Sequence, residues 1–253
     1  MCFSVDAHEN DFSTRITSSG MDSLMQDWVL IMVAVAYGYL IGSIPSAYLV
    51  GRWTKGIDIR QYGSGNVGAS NARNHFDKVP FVTVAIFDIL FKGTVTIGLT
   101  QMIGLDLWYQ VAVALVTAVG HNWSVFIKFS GGRGLGVAMG ALLLLSWKLL
   151  VLLLAIGVIG GFFFRSYGLW FGIAILLLPF GAMIVGSPDA MVWYGVGVCG
   201  VTVLKRLTSN PGTSPQGLRW RDKLAPRLLF DRDTWDGDGW VARTPSEPEH
   251  RNS

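Results

Sequence analysis

The sequence predicts an all-α, polytopic integral membrane protein of about seven transmembrane helices, some short or hairpin-like, with glycine-rich loops on the cytoplasmic side. Three observations predict it. The 253 residues are 51% hydrophobic and only 15% charged, an apolar share near the top of the soluble range and a charged share well below it. Charges are absent from residues 28 to 50, 135 to 147, 149 to 164 and 166 to 188, and runs of about 18 nearly uncharged apolar residues cross a hydrocarbon core roughly 30 Å thick. The basic residues flank these runs instead of forming one soluble patch, so the net charge of +3 does not point to nucleic acid.

Residues 1–27 read as a loose polar tail outside the membrane. Asp6, Glu9, Asp11, Asp22 and Asp27 stand against a single Arg15, without the basic-then-apolar order of a secretory signal. A transmembrane domain spans 28–205, with apolar segments at 28–50, 79–102, 107–124, 134–146, 148–164, 166–186 and 189–204. The fourth and fifth form one stretch interrupted by Ser146, Trp147 and Lys148. One long tilted helix is the alternative there, and a hairpin is favoured by the charges. With the N-terminus outside and seven spans, one side receives all 20 basic residues except Arg15, Lys148 and the intramembrane Lys92, and the positive-inside rule makes that side cytoplasmic. Trp28 and Trp53 bracket the first segment and Trp108 and Trp123 the third, as interfacial aromatic belts do. Residues 206–253 are polar, rich in Pro, Gly and Arg and without a period, which predicts a partly disordered cytoplasmic tail.

Two glycine-rich loops fall on that basic side. Residues 63–71, GSGNVGASN, begin with G-x-G-x-x-G. The dinucleotide reading of that pattern needs a buried strand before it and a helix after it, and KGIDIRQY, a charged linker leaving a span, precedes it instead. What remains is an anion-binding nest of backbone N–H groups, with Ser64, Gly65 and Asn66 as candidates. In residues 120–136, GHNWSVFIKFSGGRGLG, the glycines Gly131, Gly132 and Gly134 surround Arg133, and Lys128 precedes them. An apolar run follows, which puts this loop at a helix N-terminus, where free amides and the dipole favour an anion. Two such loops suggest a phosphate-bearing substrate; glycines that merely permit close helix packing are the competing reading.

In GSIPSAYLVGR, residues 42–52, Pro45 bends the first helix and frees carbonyls that need partners. Ser43 is a candidate reactive group or such a partner, and Arg52 a candidate headgroup or phosphate contact. Asp88 and Lys92, four apart within a span, share a helix face and can pair, in a structural or a catalytic role. His121, beside Asn122 at the end of the third span, is a hydrogen-bonded structural residue or a base. Cys2 and Cys199 are far apart, no metal-ligand spacing occurs, and neither cofactor nor metal is implied.

GSIPSAYLVGR, GIDIRQYGSGNVGASN and GHNWSVFIKFSGGRG, in this order with apolar spans between them, resemble the membrane-integral acyl-phosphate:glycerol-3-phosphate acyltransferases of bacteria, the PlsY family, over about residues 28 to 210. The resemblance implies a multi-pass enzyme of the bacterial inner membrane. It moves a fatty acyl group from acyl phosphate to the 1-hydroxyl of glycerol 3-phosphate among the membrane lipids, releasing lysophosphatidic acid and phosphate. It maps the serine and arginine of the first motif to Ser43 and Arg52, and the glycerol-phosphate loop to Lys128 through Gly134. Asn66 and Asn71 match the family's GSGNxGATN segment, with Ser70 in place of threonine, and Asn210 matches the asparagine of the third motif. Three departures stand out. Gly168 and Leu207 replace a serine and a histidine of the family pattern, the Glu of the third motif has no counterpart, and Asp-x-x-Lys-Gly is one residue longer here, Asp88 to Lys92-Gly93.

An acyl phosphate is a mixed anhydride with a good leaving group, so the enzyme mainly positions two anions and directs a hydroxyl at the carbonyl. The H-x-x-x-x-D pattern of acyl coenzyme A-dependent acyltransferases is absent, Phe126 standing where the Asp would be after His121. A transporter of phosphate or organic anions and a non-catalytic paralogue that binds lipid phosphate are the alternatives. Transporters tend to place broken helices and paired repeats at the midplane, whereas these loops fall at span ends and no repeat is present.

Overall fold

The computed structural model describes residues 6–208 and 219–244, with side chains from residue 25 onward. Every regular element among the described residues is helical. Helix α1 is Asp6–Ser43 and α2 Ser46–Lys55. The short α3, Ala69–His75, precedes α4, Lys78–Met102, and α5 is Leu107–Asn122. Then come α6, Leu135–Leu145, α7, Trp147–Phe164, α8, Tyr167–Ile184, and α9, Asp189–Thr208. Two short helices close the described chain, α10, Trp220–Phe230, and α11, Gly237–Val241.

Six stretches are long and apolar enough to cross a membrane: Met25–Lys55, α4, Leu107–Ile127, α7, α8 and α9. The seventh apolar segment is α6, whose 11 residues reach about 16 Å at 1.5 Å per residue, roughly half a bilayer core. The hairpin expected at Ser146 is present, because Ser146 is extended, with φ −164° and ψ 92°, and breaks the helix between α6 and α7. α6 starts at Gly134, and α7 ends at Arg165 in a left-handed turn next to Tyr167, whose ring lies 6.0 Å from the Arg73 guanidinium. The pair therefore leaves and returns to the same end of the bundle.

Both tails carry helix among the described residues. Residues 6–27, read from their polarity as a loose tail, continue α1 as helix. The described part of the C-terminal tail, a segment without a period, contains α10 and α11 with buried Arg227 and Trp240. Its order comes from ion pairs and backbone bonds to the rest of the chain, which leave no trace in hydrophobic periodicity.

Close helix approach sets the interior. A Cβ on Gly42 would lie 2.1 Å from the Thr117 carbonyl oxygen, so α1 and α5 touch backbone to backbone. α4 carries a π-helical stretch, Phe87–Val95. A π-bulge absorbs one extra residue without shifting the helix on either side. That answers the extra residue between Asp88 and Lys92: both face inward, 2% and 1% exposed, while Gly93 keeps its seat against α6. Thr94 Oγ1 donates to the Gly140 carbonyl across that contact at 3.0 Å.

Candidate active site

The first helix ends at Ser43 and restarts at Ser46, so Pro45 does interrupt it. The freed Ser43 carbonyl finds a partner in the Ser124 hydroxyl, which donates to it. The turn changes the helical phase, and Ser46, not Ser43, meets α4. Ser46 Oγ donates to Asp88 Oδ1 at 2.7 Å, and Lys92 Nζ lies 2.7 Å from the same oxygen. Lys92 also donates to Ser46 Oγ at 3.4 Å and approaches His121 Nδ1 at 3.1 Å. A lysine ammonium has three donors and no acceptor, and these three contacts use all of them. His121 Nδ1 is therefore the acceptor, the ring is neutral, and its proton sits on Nε2, an assignment that follows from the network. An imidazolium would set a donor and a like charge against Lys92.

Nε2 points toward the glycine loops. A Cβ on Gly132 would stand 1.9 Å from it, and one on Gly68 3.7 Å. Here the two loops meet: Val67 N–H donates to the Gly131 carbonyl at 3.2 Å, and Gly132 N–H to the His121 carbonyl at 2.9 Å. Asn71 organises the first loop from inside, donating to the carbonyls of Ile59, Tyr62 and Asn66, while its Oδ1 accepts from Ser64 N–H at 3.3 Å. Gly134, with φ 73°, begins α6 in the left-handed region that favours glycine. Outside the spans, Asp58 folds the preceding linker. Hydrogen bonds from Arg60, aided by the Arg60 and Arg52 charges, hold its carboxyl below the usual carboxylate range despite partial burial.

A cavity of about 410 Å³ opens beside these loops. Asn66, Arg73, Asp88, His121, Arg133, Arg206 and Asp231 are among its polar lining residues. Ile89, Met139, Phe171 and Ile175 supply apolar lining as α4, α6 and α8 run away from the loop end. Arg133 Nε lies 2.9 Å from the Asp231 carboxylate, and its Nη1 donates to the Lys205 carbonyl at 3.1 Å.

Of the residues singled out in the sequence, Asn66, Asp88, His121, Arg133 and Gly134 line this cavity. Gly131, Gly132 and Lys92 stand directly behind them. Ser64, Gly65 and Asn71 belong to the loop framework, and Asn122 is fully buried beside Gly134 with its amide atoms unpartnered among the described residues. Three others lie away from the cavity. Ser43 does not line it; its buried hydroxyl, unpartnered among the described residues, lies against Gly120. Arg52 is turned to Asp58 at 3.8 Å and to the Tyr48 ring, with its side chain 47% exposed. Lys128 is exposed at a left-handed turn, φ 56°, which swings it off the loop's inner face. Asn210 lies outside the described residues. Sequence reasoning missed Ser46, Arg73, Arg206 and Asp231. Ser46 was legible as the other serine flanking Pro45, whereas no local pattern marks Arg206 or Asp231.

A family model described as glycerol-3-phosphate acyltransferase matches residues 32–213. The chain belongs to the glycerol-3-phosphate acyltransferase family. Among its relatives, glycerol-3-phosphate acyltransferase 5 of Dehalococcoides mccartyi is 36% identical, the match covering 87% of this chain and 96% of the relative. Glycerol-3-phosphate acyltransferase 4 of another strain of that species is 34% identical over 85% and 94% of the two chains. Among solved structures, the glycerol 3-phosphate form of PlsY, an integral membrane glycerol 3-phosphate acyltransferase, is similar with a TM-score of 0.64 and 25% identity, covering 70% of this chain and 88% of that one. The glycerol-3-phosphate acyltransferase fold thus accounts for the membrane spans, and this chain is a multi-pass membrane protein.

Proposed function

We propose that the cavity binds glycerol 3-phosphate and an acyl phosphate together and transfers the acyl group to the 1-hydroxyl of the glycerol. The observation that carries this reading is the composition of one cavity: three guanidinium groups, a neutral imidazole and the ion-paired carboxylates of Asp88 and Asp231 at the loop end, and an apolar lining deeper in the bundle. Arg133, Arg73 and Arg206 are the groups to receive phosphate oxygens, since guanidinium presents planar donors that match them. The apolar wall suits the acyl chain.

In this reading His121 Nε2–H donates to a substrate oxygen. It cannot take a proton from the acceptor hydroxyl while Lys92 fixes its tautomer, so it does not serve as the base. The proton has a simpler destination. As the glycerol oxygen bonds to the acyl carbon and the anhydride C–O bond breaks, the hydroxyl proton passes to a phosphate oxygen of the substrates, leaving ester and inorganic phosphate. Preorganised donors around the developing oxyanion lower the barrier. Lys92, Asp88 and Ser46 are positioning residues behind His121. The burial of Ser43 outside the cavity lining argues against its hydroxyl as a nucleophile.

The loop end is proposed to face the cytoplasm and the membrane to be the bacterial inner membrane, because the basic residues gather at that end. Purified protein given glycerol 3-phosphate and palmitoyl phosphate is expected to release phosphate and form lysophosphatidic acid, and Arg133→Ala to lose at least about tenfold in turnover efficiency. Vesicle uptake of phosphate without lipid product would favour transport instead.

A further inference from the structure

The family match ends at residue 213, yet the chain beyond it folds onto the site. Asp231 caps α10 in the left-handed region, φ 58°, and its N–H closes the helix onto the Arg227 carbonyl. Arg227 is buried and paired with Asp233 at 2.6 Å, and it also donates to the Leu207 carbonyl at the end of α9. Farther on, the Arg243 carbonyl accepts from Gly63 N–H of the first glycine loop at 2.8 Å, next to the buried Trp240. A Cβ on Gly168 would lie 3.0 Å from the Phe230 carbonyl, so the end of α10 rests against the start of α8. The segment is thus tied down on both sides of Asp231, with its carboxylate delivered into the cavity lining.

There it meets Arg133. The carboxylate engages Nε and the Lys205 carbonyl engages Nη1, which leaves Nη2 without a hydrogen bond among the described residues. Both side chains are mostly shielded, 14% and 20% exposed, so the pair is weakly screened and holds one geometry. A free arginine loses several rotamers on binding an anion; one already fixed at two of its nitrogens loses few.

We propose that the segment 219–244 is a working part of the site, and that Asp231 is a positioning residue which orients Arg133 so that Nη2 faces the phosphate of glycerol 3-phosphate. This rests on reading the cavity as the phosphate site. A carboxylate near a dianion also repels it, and the two effects move substrate affinity in opposite directions. Orientation is the one the geometry favours: the carboxylate takes Nε and the Lys205 carbonyl takes Nη1, which fixes the guanidinium plane, and although Nη2 lies on the Nε edge, one of its two N–H bonds points away from that edge.

The test is a double-mutant cycle in the full-length protein, following KM for glycerol 3-phosphate and kcat separately. Asp231→Asn is the informative change, since Asn is isosteric and tolerates the left-handed backbone. It is expected to raise KM about three- to tenfold while kcat stays within about twofold, the scale of losing a charge-assisted hydrogen bond. In an Arg133→Ala background the same change is expected to leave KM unaltered, as coupled residues require. A purely structural role lowers the amount of active enzyme in both backgrounds and moves kcat, not KM. An unchanged or lowered KM in Asp231→Asn, beside a clear KM defect in Arg133→Ala, overturns this inference alone. An unchanged KM in Arg133→Ala overturns the phosphate site itself, and this inference with it.

Discussion

Gly132→Ala tests the contact between the second glycine loop and the buried cluster. Its Cβ would stand 1.9 Å from His121 Nε2, 2.7 Å from Cδ2 and 2.8 Å from Cε1. Ordinary van der Waals contact begins near 3.4 Å, so ring or loop must give way by about 1.5 Å. The ring cannot retreat cheaply, because Nδ1 is held by Lys92 at 3.1 Å and the cluster behind it is buried. The loop cannot retreat without breaking the Gly132 bond to the His121 carbonyl. Misplacement of a reacting group by about 1 Å costs on the order of 100-fold in rate, and that is the expected fall in kcat/KM. The assay is phosphate release by purified protein, normalised to folded protein by thermal unfolding. Gly200→Ala is the control, since nothing lies within 4 Å of its added Cβ. Gly132→Ala with more than half the parent turnover would show that the imidazole and the loop do not form one unit.

Other changes probe the scaffold. Gly140→Ala would place a Cβ 1.9 Å from the Ile89 carbonyl oxygen, and overpacking of this kind costs about 1–3 kcal/mol or more; a lowered unfolding temperature and reduced folded yield are expected. Lys92→Met leaves the buried Asp88 carboxylate without its ion-pair partner, a loss of about 3–5 kcal/mol. Adding Asp88→Asn should recover much of that stability without recovering turnover, measurable by unfolding and activity on the same samples. For Asp58, the folded pKa lies below the unfolded one, so its contribution is complete above the ordinary carboxylate pKa and disappears as pH falls through the folded value. Asp58→Asn should lower stability at neutral pH by on the order of 1 kcal/mol, a figure limited by solvent screening, and flatten the acid limb of the stability profile.

Several features of the molecule were legible in the sequence because they rest on composition along the chain. Apolar runs give the spans, and the position of basic residues places GSGNVGASN and FSGGRG at one end, where Val67 and Gly131 touch. The hairpin at Ser146 follows from the same asymmetry. Side-chain direction did not follow. Each residue turns an α-helix by about 100°, so the break at Pro45 decided between Ser43 and Ser46 in a way that no local pattern records. The exposure of Lys128 has a related cause: a left-handed turn at that residue changes which side of the loop it faces. The extra residue between Asp88 and Lys92, a departure from the family pattern, falls in the π-helical stretch of α4. Asp231 and Arg206 reach the cavity through long-range backbone anchors at Leu207, Gly168 and Gly63, and contacts across such separations carry no sequence period.

The central claim is that the two glycine loops form a single phosphate site. Hydrogen exchange of the purified protein, with and without saturating glycerol 3-phosphate, measures it most directly. The account predicts that amides of residues 63–71 and 128–136 slow together, with the same dependence on ligand concentration. Protection confined to one loop, in protein that turns substrate over, would contradict it.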